Sequence, residues 1–160
     1  MAGRTTRATQ ALDGAGATYV IHRYEVAEKV GEGYGEAVAQ AIGMPGHRVF
    51  KTLIATVDHE PVVAVIPVDR RLSPKKMASA LGGKRCSVAS PEDAERLSGY
   101  VVGGISPFGQ RRKIRLVLDS SAADFETIAV SGGRRGLQLE VTPEVVTAVT
   151  GGAMAAIADH

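Results

Sequence analysis

The chain has 160 residues, 44% of them hydrophobic, enough to bury a core of ordinary domain size without covalent staples. Its single Cys86 excludes an internal disulfide, and the 4 His stand in no cluster of metal-ligand spacing, so neither a metal nor a cofactor is expected. A formal net charge of +2 excludes a global polyelectrolyte signal for nucleic acid, leaving charge placement to supply any such case.

The start Met1-Ala2-Gly3-Arg4-Thr5 leads into a polar segment with no apolar h-region, and no apolar run approaches membrane-spanning length. A cytoplasmic protein with no membrane partner is expected. Residues 5–15 read as a first helix ended by glycines, 18–24 as a strand, and 28–33 as a polar, glycine-bearing loop. Tyr34–Ile42 reads as a short amphipathic helix with Val38 and Ile42 on one face, stopped by Gly43 and Pro45-Gly46. A strand over 49–57, a turn at Asp58-His59-Glu60-Pro61 and an apolar strand over 62–68 predict an antiparallel hairpin. Ser73-Pro74, Ser90-Pro91 and Thr142-Pro143 each put a hydroxyl at N-cap and Pro at N1, opening helices over 74–81, 91–97 and 143–149. Strands are predicted over 85–89, 113–118, 127–130 and 137–141, and a last helix over 153–158. Hairpins and helices interleave without a strict βαβ rhythm, which predicts one α/β domain over 1–160, a mixed sheet with helices packed against it.

Within the 49–57 strand, Lys51 shares its parity with Val49, Leu53, Ala55 and Val57, all apolar. An ammonium pointed into a core costs several kcal/mol or loses its proton unless a charge, a ligand or water meets it. Lys51 therefore either snorkels out at the strand end or lines a pocket.

Three glycine pairs stand near basic residues: Gly82-Gly83 before Lys84-Arg85, Gly103-Gly104 before Arg111-Arg112-Lys113, and Gly132-Gly133 before Arg134-Arg135. Paired glycines let a backbone approach a ligand and turn N–H groups toward an anion, and Arg or Lys adds charge-assisted bonds to phosphate. Any single pair is an ordinary turn with solvated charges; three in one small domain favour a phosphate-bearing ligand. The stretch from Gly99 through Ser106-Pro107 to Gly109 can place backbone N–H groups against a developing oxyanion, yet meets neither nucleotide-binding glycine spacing. Conventional constellations are missing. His22, His47, His59 and His160 are scattered, and His22 reads as a structural strand histidine. Cys86 beside Arg85 reads as a buried small hydrophobe, and Glu92, Asp93 and Glu95 as the first turn of a helix, favouring its dipole. An enzyme built this way works by positioning and electrostatics.

Phe50-Lys51-Thr52-Leu53, then the run from Gly99 to Pro107, then Ser131-Gly132-Gly133-Arg134-Arg135-Gly136-Leu137 resemble the YbaK/EbsC family of aminoacyl-tRNA deacylases, also found as the editing domain of bacterial prolyl-tRNA synthetases. The resemblance runs from about Tyr19 to the C-terminus, and within the family the chain is most similar to the free-standing Cys-tRNA(Pro) deacylases. It implies a YbaK-like fold, a largely antiparallel, barrel-like mixed sheet with surrounding helices, and a trans-editing hydrolase that cleaves the 3′ ester of mischarged tRNA, foremost Cys-tRNA(Pro). It also implies the acceptor end of tRNA(Pro) as partner, with prolyl-tRNA synthetase as a second one. Lys51, Gly103 and Gly104 match the family's catalytic positions. Tyr24, Tyr34, Thr52, Ile105, Ser106, Pro107, Ser131, Gly132 and Gln138 match its substrate-binding positions. Gln138 departs from the family, which commonly has Asp there; a hydrogen-bonding role survives the change, a charge-dependent one does not. In cysteine-specific relatives the substrate's own thiol attacks the ester, a lyase-like release that dispenses with a protein nucleophile. The alternatives are removal of Ala or another small amino acid, and a non-catalytic tRNA- or synthetase-binding module of the same fold.

Overall fold

The computed structural model describes residues 5–26 and 29–159. In chain order the elements are α1 (Arg7–Gly14), β1 (Val20–Arg23), α2 (Tyr34–Ile42), β2 (Phe50–Val57), β3 (Glu60–Pro67), β4 (Arg71–Leu72), α3 (Pro74–Ala80) and β5 (Cys86–Val88). There follow α4 (Pro91–Ser98), β6 (Arg115–Asp119), β7 (Ile128–Ser131), β8 (Leu137–Val141), α5 (Pro143–Thr150), β9 (Ala153–Ala155) and β10 (Ala158–Asp159).

The hairpin forms as predicted, with Phe50 opposite Pro67 and Val57 opposite Glu60. Asp58 and His59 take positive φ (49° and 72°), as a two-residue hairpin turn requires. The three predicted Ser/Thr-Pro caps form: Ser73 accepts from Lys76 N–H, Ser90 from Asp93 N–H and Thr142 from Val145 N–H. Most boundaries shift by one or two residues from the predicted ones, and Glu28 of the predicted 28–33 loop lies outside the described residues.

Five strands run in the order β5-β2-β3-β6-β9, three more in the order β1-β8-β7, and β10 pairs with β4. Pairing is antiparallel except at β3–β6 and β6–β9. The fold is thus mixed α/β and largely antiparallel, but its strands form three sheets and no closed barrel. One parallel bridge, Val49 to Ala129, joins the first two sheets. Val62 to Val68 is buried throughout rather than on alternate residues, because β2 and β3 are covered on both faces. Phe50, Ile54, Val63 and Val65 pack toward Leu12, Leu97, Val130 and Leu139 on one side. Ala55, Val57, Ala64 and Ile66 pack toward Met77, Cys86 and Ile157 on the other.

The edge of β2 opposite β3 positions the site. β5 pairs there only with Ala55 to Val57, and Val49 bridges Ala129. Residues 50–53, between these points, have no strand partner on that edge among the described residues. The sheet splits around them and a cavity opens in the gap.

The predicted helix over 153–158 is overturned: the segment forms β9 and β10. Gly151, at φ 72°, ends α5, and Ala153 to Ala155 then add to the edge of β6. Ile157 is fully buried in the second core, and the N–H groups of Ile157 and Ala158 both donate to Asp119 Oδ1 at 2.9 and 3.1 Å. Six residues cannot hold a helix by propensity alone, so the unfilled sheet edge and the buried carboxylate decide their conformation.

Candidate active site

The cavity in the β2 gap has a volume of about 560 Å³. β2 supplies one wall, including Lys51 and Thr52; the start of α2 supplies Tyr34; the loop after α4 supplies Val102, Gly103 and Ile105. Ser131 and Gln138, opposite each other in the β7–β8 pair, close the far side.

Lys51 sits at the strand end, partly buried, where the second core gives way to the cavity. Burial lowers the pKa of its ammonium below the ordinary lysine range; Glu36 pulls the value back up, Arg71 lowers it and Asp69 raises it. Among the described residues nothing forms a hydrogen bond or ion pair with its Nζ, so its donors remain available to a ligand.

Gly103 (φ 89°) and Gly104 turn the loop, and the turn is closed by a hydrogen bond from Gly104 N–H to Val101 O at 2.8 Å. That bond occupies the Gly104 N–H. Gly104 also stays outside the cavity lining, so the expected oxyanion donor at this position is corrected, while its neighbours Gly103 and Ile105 line the cavity. The loop is pinned from both sides, by Glu95 Oε2 accepting from Val102 N–H at 2.8 Å and by Arg135 Nε donating to Val102 O at 2.9 Å. Ser106 and Pro107 are buried behind it; Ser106 Oγ accepts from Phe108 N–H, and the Tyr100 hydroxyl donates to Phe108 O at 2.6 Å.

Two buried polar atoms on lining residues, Thr52 Oγ1 and Gln138 Oε1, have no hydrogen-bond partner among the described residues. Gln138 Nε2 reaches the Tyr24 hydroxyl at 3.5 Å. The Tyr34 hydroxyl is pushed up to about 12, by burial first and then by its contact with Tyr24, with Arg135 opposing. Tyr24 itself lies in an adjoining open cavity that shares Val30 and Tyr34 with the first.

Residues 33–148 match the family model for the aminoacyl-tRNA editing domain. The chain belongs to the aminoacyl-tRNA editing domain family. It is 40% identical over 124 residues to the protein named "Putative Cys-tRNA(Pro)/Cys-tRNA(Cys) deacylase EbsC" of Enterococcus faecalis, covering 76% of this chain and 75% of the relative. It is 33% identical over 103 residues to the "Multifunctional Ser/Thr-tRNA deacylase ProXp-y" of Escherichia coli K12, covering 61% and 62%. The same fold occurs in a solved structure titled as a putative trans-editing enzyme for prolyl tRNA synthetase, with TM-score 0.81, 23% identity and 96% of each chain covered.

In this editing domain, Lys51, Thr52, Tyr34, Gly103, Ile105, Ser131 and Gln138 come together around one cavity. Tyr24 flanks it, while Gly104, Ser106, Pro107 and Gly132 form the packing behind it. Of the three glycine pairs, the second and third come together beside the cavity through Gly104 and Arg134, though only Gly103 lines it. The first does not: Gly82-Gly83 makes a turn whose following N–H groups, on Lys84 and Arg85, donate to the Asp58 carboxylate at 3.0 and 2.9 Å. Arg111, Arg112 and Lys113 are exposed and away from the cavity. Cys86 is buried, which raises its thiol pKa, and His22 pairs with Glu140 at 2.8 Å. Glu95 has a second role that the sequence reading missed. It lies past the first turn of α4, whose acidic residues are Glu92 and Asp93 alone, which corrects the expectation for it, and its tether to Val102 becomes visible only when α4 is laid beside the loop.

Proposed function

We propose that this editing domain is a free-standing deacylase that removes a wrongly attached amino acid from tRNA(Pro), with cysteine as its first substrate. The observation that carries this reading is a cavity holding an available ammonium and a glycine loop, with no Cys or His among its lining residues. Lys51 would hold the terminal phosphate or ribose of the acceptor end, giving the inward lysine its counter-charge. The N–H groups of Gly103 and Ile105 would face the oxygen of the ester carbonyl as it becomes an oxyanion; one such donor is worth about 3–4 kcal/mol. Ser131 Oγ accepts from Gly133 N–H at 3.2 Å, and among the described residues no hydrogen bond joins it to a His, Asp or Glu, so the nucleophile comes from elsewhere. With cysteine it is the substrate thiol: sulfur attacks the carbonyl carbon, the ester C–O bond breaks, and the ribose oxygen leaves with the proton.

Water-dependent cleavage of another small residue is the second reading, supported by the Ser/Thr specificity in the name of one relative and by the neutral Gln138. Prolyl-tRNA synthetase as the source of tRNA choice, and a cytoplasmic setting, belong to the same proposal; among the described residues no helix is long and apolar enough to cross a membrane. The deciding experiment is deacylation of Cys-, Ala-, Ser- and Thr-tRNA(Pro) side by side. Thiol attack requires Ser-tRNA to be cleaved far more slowly than Cys-tRNA despite similar size. Equal rates would leave water as the nucleophile, and RNA binding without any cleavage would leave a non-catalytic module.

A further inference from the structure

The second, open cavity beside the site has no part in the chemistry above. Its lining includes Tyr24, Glu25, Lys29, Tyr34 and Arg135, two cations against one carboxylate. It joins the first cavity across Val30 and Tyr34, which line both. Arg135 is fixed by its Nε bond to Val102 O, which leaves the terminal guanidinium nitrogens for another acceptor. The same guanidinium lies close enough to Tyr34 to act on its hydroxyl, so charge and ring are neighbours at the threshold.

We propose that this second cavity binds the penultimate, unpaired nucleotide of the tRNA 3′ end, its phosphate on Arg135 and Lys29 and its base against the tyrosine rings. The inference rests on the deacylase reading. A ligand whose esterified ribose fills the first cavity must leave it as a single-stranded phosphodiester chain. The shared Val30–Tyr34 wall leads to a trough with the two features such a strand uses, cations for the backbone and aromatic faces for a base. Stacking tolerates any base, so this subsite adds affinity for an unpaired 3′ strand without reading its sequence.

The test compares two substrates carrying the same amino acid, a full-length aminoacyl-tRNA and the 3′-aminoacyl-adenosine that lacks the penultimate nucleotide. Lys29→Glu should raise KM for the tRNA about tenfold, the size of one lost charge-assisted contact, with kcat little changed. The loss should be absent with aminoacyl-adenosine. The variant should also flatten the salt dependence of tRNA binding by about 0.7 in the log–log slope, one phosphate contact on a single strand. Lys29→Glu leaves the Arg135–Val102 bond in place, so it separates phosphate binding from any loosening of the glycine loop. Equal losses on both substrates, no loss on either, or an unchanged salt slope would overturn the proposal while leaving the deacylase reading intact. Wild-type protein that cleaves neither substrate would overturn that reading and this one together.

Discussion

Gly104 and Arg134 meet backbone to backbone: a β-carbon on Gly104 would stand 2.6 Å from the Cα of Arg134. Two glycine-bearing loops more than two dozen residues apart in sequence are thereby seated on each other, beside Gly103 and Ile105, which line the cavity. Gly104→Ala should force them apart. Overpacking against backbone costs about 1–3 kcal/mol, which for a chain of this size lowers Tm by several degrees. Because the Gly103 and Ile105 N–H groups move with the loop, kcat/KM should fall more than stability does. Thermal melts and kinetics on one preparation check this, and an unchanged kcat/KM would detach the loop from the chemistry.

Lys51→Ala should reduce deacylation by about tenfold to a hundredfold, the range for losing a charge-assisted contact, with the fold intact by circular dichroism. The pH profile gives a sharper reading. The folded pKa of Lys51 lies below the ordinary lysine value, so an activity that needs the ammonium is full below that pKa and falls as pH rises through it. Lys51→Arg keeps its charge, so any activity it retains should lack that alkaline limb. Stability moves the opposite way: the unfolded chain binds the extra proton between the folded and unfolded pKa values, and folding strengthens as pH rises across that window.

Gln138→Leu separates substrate binding from structure. Gln138 Oε1 is buried without a partner among the described residues, so replacing the amide by an apolar group of similar size should leave stability unchanged or slightly higher. A substrate-binding Gln138 would make the same variant a poor deacylase through KM. Stability and activity falling together would instead mark the amide as structural.

Asp119→Ala tests the C-terminal strands. Burial by itself would raise the Asp119 carboxyl, but hydrogen bonds from Ser121, Ile157 and Ala158 together hold it below the usual carboxylate range. Removing the acceptor orphans two buried N–H groups, a loss of about 2–4 kcal/mol at neutral pH. A carboxyl with a depressed folded pKa stabilises above its unfolded value and loses that contribution as pH falls through the folded one. The gap between wild type and variant in urea melts should therefore be full at pH 7 and narrow below about pH 4. A gap independent of pH would assign the effect to packing.

What could be read along the chain was local. Three Ser/Thr-Pro pairs, the apolar hairpin and the glycines that stop α2 and α5 specify their own backbone, because caps, turns and burial patterns act over a few residues. Lys51 stood out for the same reason, a charge at an apolar parity, and the motifs around it were enough to suggest the family. Tertiary structure decided the rest. Residues 153–158 became strands because β6 offered an edge and Asp119 two bonds. The edge of β2 opened because β5 pairs with Ala55 to Val57 while Ala129 meets Val49 at the other end. Two glycine pairs converged while the third turned away toward Asp58, and the Gly104 N–H was taken up by Val101. Each of these outcomes depends on which distant backbone arrives next to which, and no short stretch of residues carries that information.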